Sequence, residues 1–360
     1  MVILRQIRFG QKAPTWSKRV SRVNTLLTFL PWLCWALPAT AQEIDVRLSI
    51  KYILDSVGNR PPGTFSNETN LRNAFDQVNN RAMRRWNRGY RFVITEIQNI
   101  ADQSEYYNLT SDTLYRGLEN EAEANPSAFF WRTNATNVFI VNSFINNAGG
   151  GAAIPSLASD AGYELVVFIA NTNPPDIIWP HELGHHFDLY HTFDFSDQVG
   201  DTRPDPNPFQ CAQAFQCPMG GSMECCCATK VANLDAVSGS WSPQEYNDIR
   251  FNTMSYHCNQ TLDNTRLTGG QLDRWTDATR RYHLGETTGV TYFVDRNNLT
   301  SPPYDGYSTD PHRTLAGGVA AANPAGGDIV LIRTGNYNEP MTITKPLTLR
   351  ATRGTVNLGQ

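Results

Sequence analysis

The sequence predicts a mixed α/β (α+β) fold, a twisted sheet carrying helices and followed by an irregular subdomain. Three observations predict it. Segments with strand alternation are interleaved with segments of helical periodicity. The 360-residue chain is 40% hydrophobic, enough to bury a sizeable core. Between residues 191 and 252 it turns irregular and rich in Pro, Gly, Asp and Cys, a length unusual without a function or covalent staples.

The elements follow in order. Residues 44–53 (IDVRLSIKYI) alternate like a half-buried strand. From Asn67 to Trp86, apolar Leu71, Phe75, Val78, Ala82, Met83 and Trp86 recur at helical spacing. Strands are expected at 90–97, 137–144 and 164–170, the last two separated by a loop containing Gly149-Gly150-Gly151. A helix is expected to open near Trp179-Pro180, where proline is tolerated in a first turn. Residues 242–249 suit a short helix, and 268–283 a longer one with Leu272, Trp275 and Ala278 on one face. Beyond Tyr292, short alternating runs at 329–332, 341–343, 347–349 and 356–358 suit a partial β-solenoid of stacked coils.

The N-terminus reads as an export signal. Arg5, Arg8, Lys12, Lys18, Arg19 and Arg22 precede an apolar run at 26–37, and Ala39-Thr40-Ala41 forms an A-x-A cleavage site. A membrane anchor is the rival, but the run is short and broken by Pro31. The organisation expected is therefore a signal peptide at 1–41, a catalytic domain at 42–285, a linker at 286–300 and a terminal segment at 301–360. Removing residues 1–41 takes six basic residues and no acid from 30 Lys+Arg and 34 Asp+Glu, so the formal charge moves from −4 to −10. That acidity argues against nucleic acid or anionic membrane as a partner. Six cysteines remain, Cys211, Cys217, Cys225, Cys226, Cys227 and Cys258. In an oxidising compartment these are most simply three disulfides of unassigned pairing; a structural zinc site in the 211–227 loop is the alternative.

The chemistry is concentrated in His181-Glu182-Leu183-Gly184-His185. On a helix, residues four apart share a face one turn apart, so both imidazoles can reach one ion. Zinc suits imidazole, and catalytic zinc uses three protein ligands plus water. Glu182 can contact that water without ligating the metal, as a general base must. His191 is the candidate third ligand, provided the chain turns sharply after His185. The bland reading is a surface helix with two solvated histidines.

The extended pattern His181-x-x-x-His185-x-x-x-x-x-His191 resembles the zinc-binding motif of the metzincin metallopeptidases. Residues 252–258 (NTMSYHC) resemble the Met-turn of that family. With residues 189–193 (LYHTF), Gly200-Asp201, Cys211 and 267–271 (LTGGQ), and the glycine-rich 148–155, the text is similar to the pappalysin branch over about 137–282. The resemblance implies a secreted zinc endopeptidase with a metzincin-type sheet. It implies Zn2+ on His181, His185 and His191, Glu182 as base, and Met254 as a hydrophobic floor below the metal. Tyr256 would ligate the resting metal or donate to the oxyanion. A protein or peptide substrate would lie along the strand at 164–170. It also suggests Ca2+ near Asp194, Asp197, Asp201 or Asp205, acids that could equally be solvated turn residues. One departure stands out: Asp188 occupies the turn position where the family carries glycine. Aspartate enters the left-handed region at a cost of about 1–2 kcal/mol.

The terminal segment, through residues 311–315 (PHRTL), 327–331 (GDIVL) and 334–337 (TGNY), resembles the opening of right-handed parallel β-helix domains of the pectate-lyase type. That implies an accessory module contacting polysaccharide or a cell surface. Two rival readings follow: an adhesive or carbohydrate-binding protein built on the β-helix, and a zinc-stabilised but inactive scaffold.

Overall fold

The computed structural model describes residues 42–101, 103–157, 165–171, 175–193, 197–202, 251–255 and 260–359. The expected signal peptide (1–41), all six remaining cysteines, the helix at 242–249 and Tyr256 lie outside the described residues.

Strand β1 (Ile44–Ile53) lies inside a five-stranded sheet, flanked by β2 (Tyr90–Ile100) and β3 (Thr136–Val141). Next to β3 comes β5 (Leu165–Ile169), and outside it the short β4 (Gly150–Ala152). All neighbours are parallel except β4 and β5, which pair antiparallel with Gly151 opposite Val167. This corrects two expectations. The strand at 164–170 is paired on both sides and offers no free edge. The glycine stretch read as a loop supplies the edge strand, because glycine lets it approach β5 closely: a Cβ on Gly150 would stand 2.6 Å from the Val167 carbonyl oxygen.

Helix α1 (Glu68–Val78) is capped by the Asn67 side chain, which accepts from the N–H groups of Thr69 and Asn70. The helix continues to Trp86 through a π-helical turn at Asn79–Met83. At that turn the Asn79 amide pairs with both backbone groups of Phe92 on β2, at 2.8 Å each, which ties the bulge to the sheet. Helix α2 (Asp112–Ala124) falls in a stretch to which the sequence pattern assigns no element. Only Leu118 and Ala122 of its apolar side chains are fully buried, so its periodicity is faint against many acids.

The sheet separates two cores. One face packs α2 with Phe129, Phe139 and Val167. The other face packs α1 and the site helix α3 (Pro175–His186), with Trp179 within 5.0 Å of Phe65, Phe75 and Phe168, ring centre to ring centre. Helix α3 opens at Pro175, earlier than the sequence suggests, and Pro180 is an interior residue. Pro175 takes the first-turn place where the missing N–H costs nothing. Helix α4 (Gly269–Arg281) begins with a capping box between Thr268 and Gln271.

The C-terminal part departs most from expectation. Residues 286–300, expected as a linker, contain the buried strand β6 (Thr291–Val294), which pairs parallel with β7 (Ile329–Tyr337), itself parallel to β8 (Thr348–Leu358). Helix α5 (Leu315–Ala321) lies between β6 and β7 in the chain. A β-solenoid is not evident among the described residues; they hold one parallel sheet with α5 packed against it. Alternating apolar runs mark parallel strands in either architecture, so the pattern could not separate a coil from a β-α-β crossover. Nor is the segment an appendage. Phe293, Ile329 and Leu331 join the larger core, Tyr90 Oη bonds Thr291 Oγ1 at 2.8 Å, and Asp45 exchanges hydrogen bonds with Thr288.

Behind the sheet, Lys51 is fully buried and donates to Ser49 O at 3.1 Å and Asn137 Oδ1 at 2.5 Å. Burial pulls its pKa down to about 7, and the neighbouring Glu96 limits the fall. Glu96 is held down to about 2, first by hydrogen bonds from Arg132 at 2.7 and 2.8 Å and then by Ser49 and nearby positive charge. The folded value lies below the ordinary 4.5, so its contribution to stability is present above about pH 4.5 and lost as pH falls toward 2. Glu96→Gln is expected to be less stable than wild type at pH 7, with the gap closing between pH 5 and pH 2. Urea midpoints measured across that range check it; a gap independent of pH contradicts it.

Candidate metal centre

The end of α3 is buried nearly all round, as suits a helix carrying a site inside the molecule. His181 and His185 project from one face, and the chain then reverses. Asp188 takes φ 67°, its N–H bonds His185 O at 2.9 Å, and Leu189 N–H bonds Gly184 O at 2.9 Å. The reversal returns His191 to the other two. The Nε2 atoms of His185 and His191 are 3.0 Å apart, those of His185 and His181 3.2 Å, and those of His181 and His191 3.3 Å. The structure therefore brings all three sequence-predicted ligands together, with aspartate in the left-handed region that glycine usually fills.

The rest of the centre fits a cation. His181 Nδ1 lies 2.7 Å from Thr253 O, and His185 Nδ1 2.7 Å from Leu189 O. A carbonyl can only accept, so both Nδ1 atoms carry the proton and both Nε2 lone pairs face the centre. Two lone pairs aimed at one point repel each other unless a cation or a donor sits between them, and the Nε2 of His191 completes a set of three that suits a cation. Four ligands arranged tetrahedrally about zinc at about 2.0–2.1 Å are spaced about 3.3–3.4 Å apart, close to the separations found here. Burial lowers the pKa of His181 to about 3 and takes that of His185 well below its usual value, with the neighbouring histidines adding to the effect. Both imidazoles are thus neutral, the form that binds metal.

Met254 is fully buried beneath the helix, and a Cβ on Gly184 would stand 2.6 Å from its sulfur. The turn around it contributes backbone as well as bulk: Thr253 O orients His181, and Met254 O accepts from Thr192 N–H at 3.1 Å, just past His191. The Asn252 side chain accepts from Met254 N–H at 2.9 Å and donates to Gln271 Oε1 at 2.8 Å, fixing the turn to α4.

Glu182 points toward the edge strand. Ala152 N–H bonds its carboxyl, and its Cγ would be 3.2 Å from a Cβ on Gly150. Burial raises its pKa to about 8, against the effect of that bond. A divalent cation among the three histidines would favour the ionised form. Of the acids considered for calcium, Asp194 and Asp205 lie outside the described residues. The Asp197 carboxylate accepts from Gln271, and Asp201 accepts from Thr268 Oγ1 and Gly270 N–H at 2.8 Å each, capping α4.

A second cluster, absent from the sequence reading, lies on the far side of α3. His186, His283 and Glu286 are buried together. Glu286 faces His283 Nδ1 at 2.7 Å and His186 Nε2 at 3.1 Å, and Thr136 Oγ1 also donates to it. His283 Nε2 lies 2.7 Å from His186 O. Burial opposes ionisation of Glu286, but the two imidazoles and their hydrogen bonds outweigh it and hold the carboxyl well below its usual range. Both ring nitrogens of His283 thus face acceptors, the Glu286 carboxyl and the last carbonyl of α3. His186 Nδ1 is buried without a hydrogen-bond partner. A metal-bound histidine almost always donates its other N–H, so this cluster reads as a buried ion pair and not as a second metal centre. No sequence signal pairs residues a hundred positions apart.

No protein-family model matches the chain, and no curated protein matches it. Among solved structures, it is similar to mature mirolysin from Tannerella forsythia in complex with a cleaved peptide, with 13% identity and a TM-score of 0.41 over 68% of this chain and 96% of that one. It is likewise similar to mirolysin in complex with compound 9, with 15% identity and a TM-score of 0.40 over 73% of this chain and all of that one. At these scores the reading of the site rests on its own geometry.

Proposed function

We propose that the protein is a zinc-dependent endopeptidase, exported from its cell, that hydrolyses peptide bonds at the centre formed by His181, His185 and His191. The observation that carries this reading is the convergence of three histidine Nε2 atoms, two of them on neutral imidazoles, beside a carboxylate that faces edge strand β4. Bound zinc supplies Lewis-acid activation of water and of the scissile carbonyl. Glu182 takes the proton from the attacking water and returns it to the leaving amine. Tyr256 donates a hydrogen bond to the carbonyl oxygen as it becomes negative. Substrate main chain pairs with edge strand β4, in place of the inner strand β5, which sets the scissile bond beside Glu182. Met254 holds the floor beneath the ligands.

No helix among the described residues is long and apolar enough to cross a membrane. An aspartate at the ligand turn would favour an inactive scaffold if it kept His191 from the centre, but Asp188 adopts the left-handed turn that brings His191 to the other two histidines.

Purified protein is expected to hold one zinc per chain and to cleave members of a peptide library. Treatment with 1,10-phenanthroline should abolish cleavage, and one equivalent of zinc should restore it. Stoichiometric zinc with no cleavage of any peptide would support the inactive scaffold instead.

A further inference from the structure

The turn that delivers His191 is held by groups the proposed chemistry does not use. Asp188, only 5% exposed, accepts from Ser156 N–H at 2.9 Å through Oδ1 and pairs with Arg274 Nη2 at 2.6 Å through Oδ2. Arg274 Nε donates to Asp188 O at 2.6 Å, and its Nη2 reaches Ser156 Oγ at 3.1 Å. The ring closes through Tyr190, whose hydroxyl lies 2.8 Å from Ser156 Oγ and whose face lies 4.8 Å from the guanidinium. Three separate pieces of chain meet here: the ligand turn, α4, and the segment that follows edge strand β4.

Glycine would adopt φ 67° at lower cost, and a buried carboxylate must be compensated to be tolerated. The compensation found here is directional. The β4 segment is attached to the metal-binding elements at two points, through Ala152 to Glu182 and through Ser156 to Asp188. We propose that Asp188 and Arg274 are positioning residues that lock the His191 turn to the β4 segment, so that the third metal ligand and the substrate-binding edge keep one fixed relation. This rests on the peptidase reading. Bidentate arginine holds such a geometry where lysine, a point charge on a flexible stem, does not.

The test uses the full chain with Asp188→Gly, Asp188→Ala, Arg274→Ala and Arg274→Lys. Asp188→Gly removes the carboxylate while keeping the left-handed turn; Asp188→Ala removes the carboxylate and also strains the turn. Zinc affinity, by competition with a chromophoric chelator, is expected to fall about 10–100-fold in Asp188→Gly and Arg274→Ala. The cobalt-substituted protein should show a changed visible absorption spectrum, and KM for a peptide should rise. Arg274→Lys should not rescue, and the Asp188→Gly/Arg274→Ala pair should be no worse than either alone. Wild-type zinc affinity, cobalt spectrum and KM in Asp188→Gly would overturn the inference; should that variant fail to fold, the same values in Arg274→Ala would do so. Wild type that binds no zinc or cleaves no peptide would sink the peptidase reading instead, so the two failures are distinguishable.

Discussion

Glu182→Gln is expected to lower kcat/KM for peptide cleavage by about 10²–10⁴-fold while zinc stays bound at one per chain. The substitution is nearly isosteric, and the glutamine carbonyl can still accept from Ala152 N–H, which bonds the native carboxyl. What it cannot do is take a proton. The candidate ligands His181 and His185 keep their orientation, because their Nδ1 atoms are held by Thr253 O and Leu189 O and not by Glu182. Steady-state kinetics on a library-selected peptide, with zinc measured on the same samples, give the result. An unchanged rate removes Glu182 from the mechanism; loss of zinc would show that it acts structurally.

The largest effect on stability is expected at Glu286. Glu286→Ala leaves His283 buried without its carboxylate partner and takes away the acceptor shared by His186 and Thr136. Breaking a buried pair in this way costs about 3–5 kcal/mol, a large part of the stability of an ordinary domain. The loss falls directly under α3, because His283 also holds the carbonyl of His186, the neighbour of ligand His185. Urea denaturation of metal-free wild type and variant separates this loss from any change in zinc binding. A midpoint within experimental scatter of wild type would show that the buried His186–Glu286–His283 cluster does not hold the fold together.

Some of this was written locally in the chain. The alternation at 44–53 and the periodicities of 67–86 and 268–283 depend on neighbours within a few residues, and a strand and two helices stand where those patterns put them. The His181–His185 spacing fixes two imidazoles on one helical face in the same way. Helix α2 was not legible because its buried side is narrow, and β4 was hidden because glycine carries no alternation to read.

The chain's local pattern is enough to pick out the candidate residues: three histidines, one glutamate, one methionine, and an aspartate in the turn between two of the histidines. Long-range packing alone reveals that Asp188 is bound by Arg274 and Ser156, that β4 and not β5 is the edge strand among the described residues, and that His283 and Glu286 brace the site helix from behind. It also turned the expected linker and solenoid into a parallel sheet sharing the main core. The reason is the range of the forces involved. Helical spacing, capping and left-handed turns are settled by adjacent peptide units, whereas ion pairs, edge exposure and shared cores depend on which distant segments pack together.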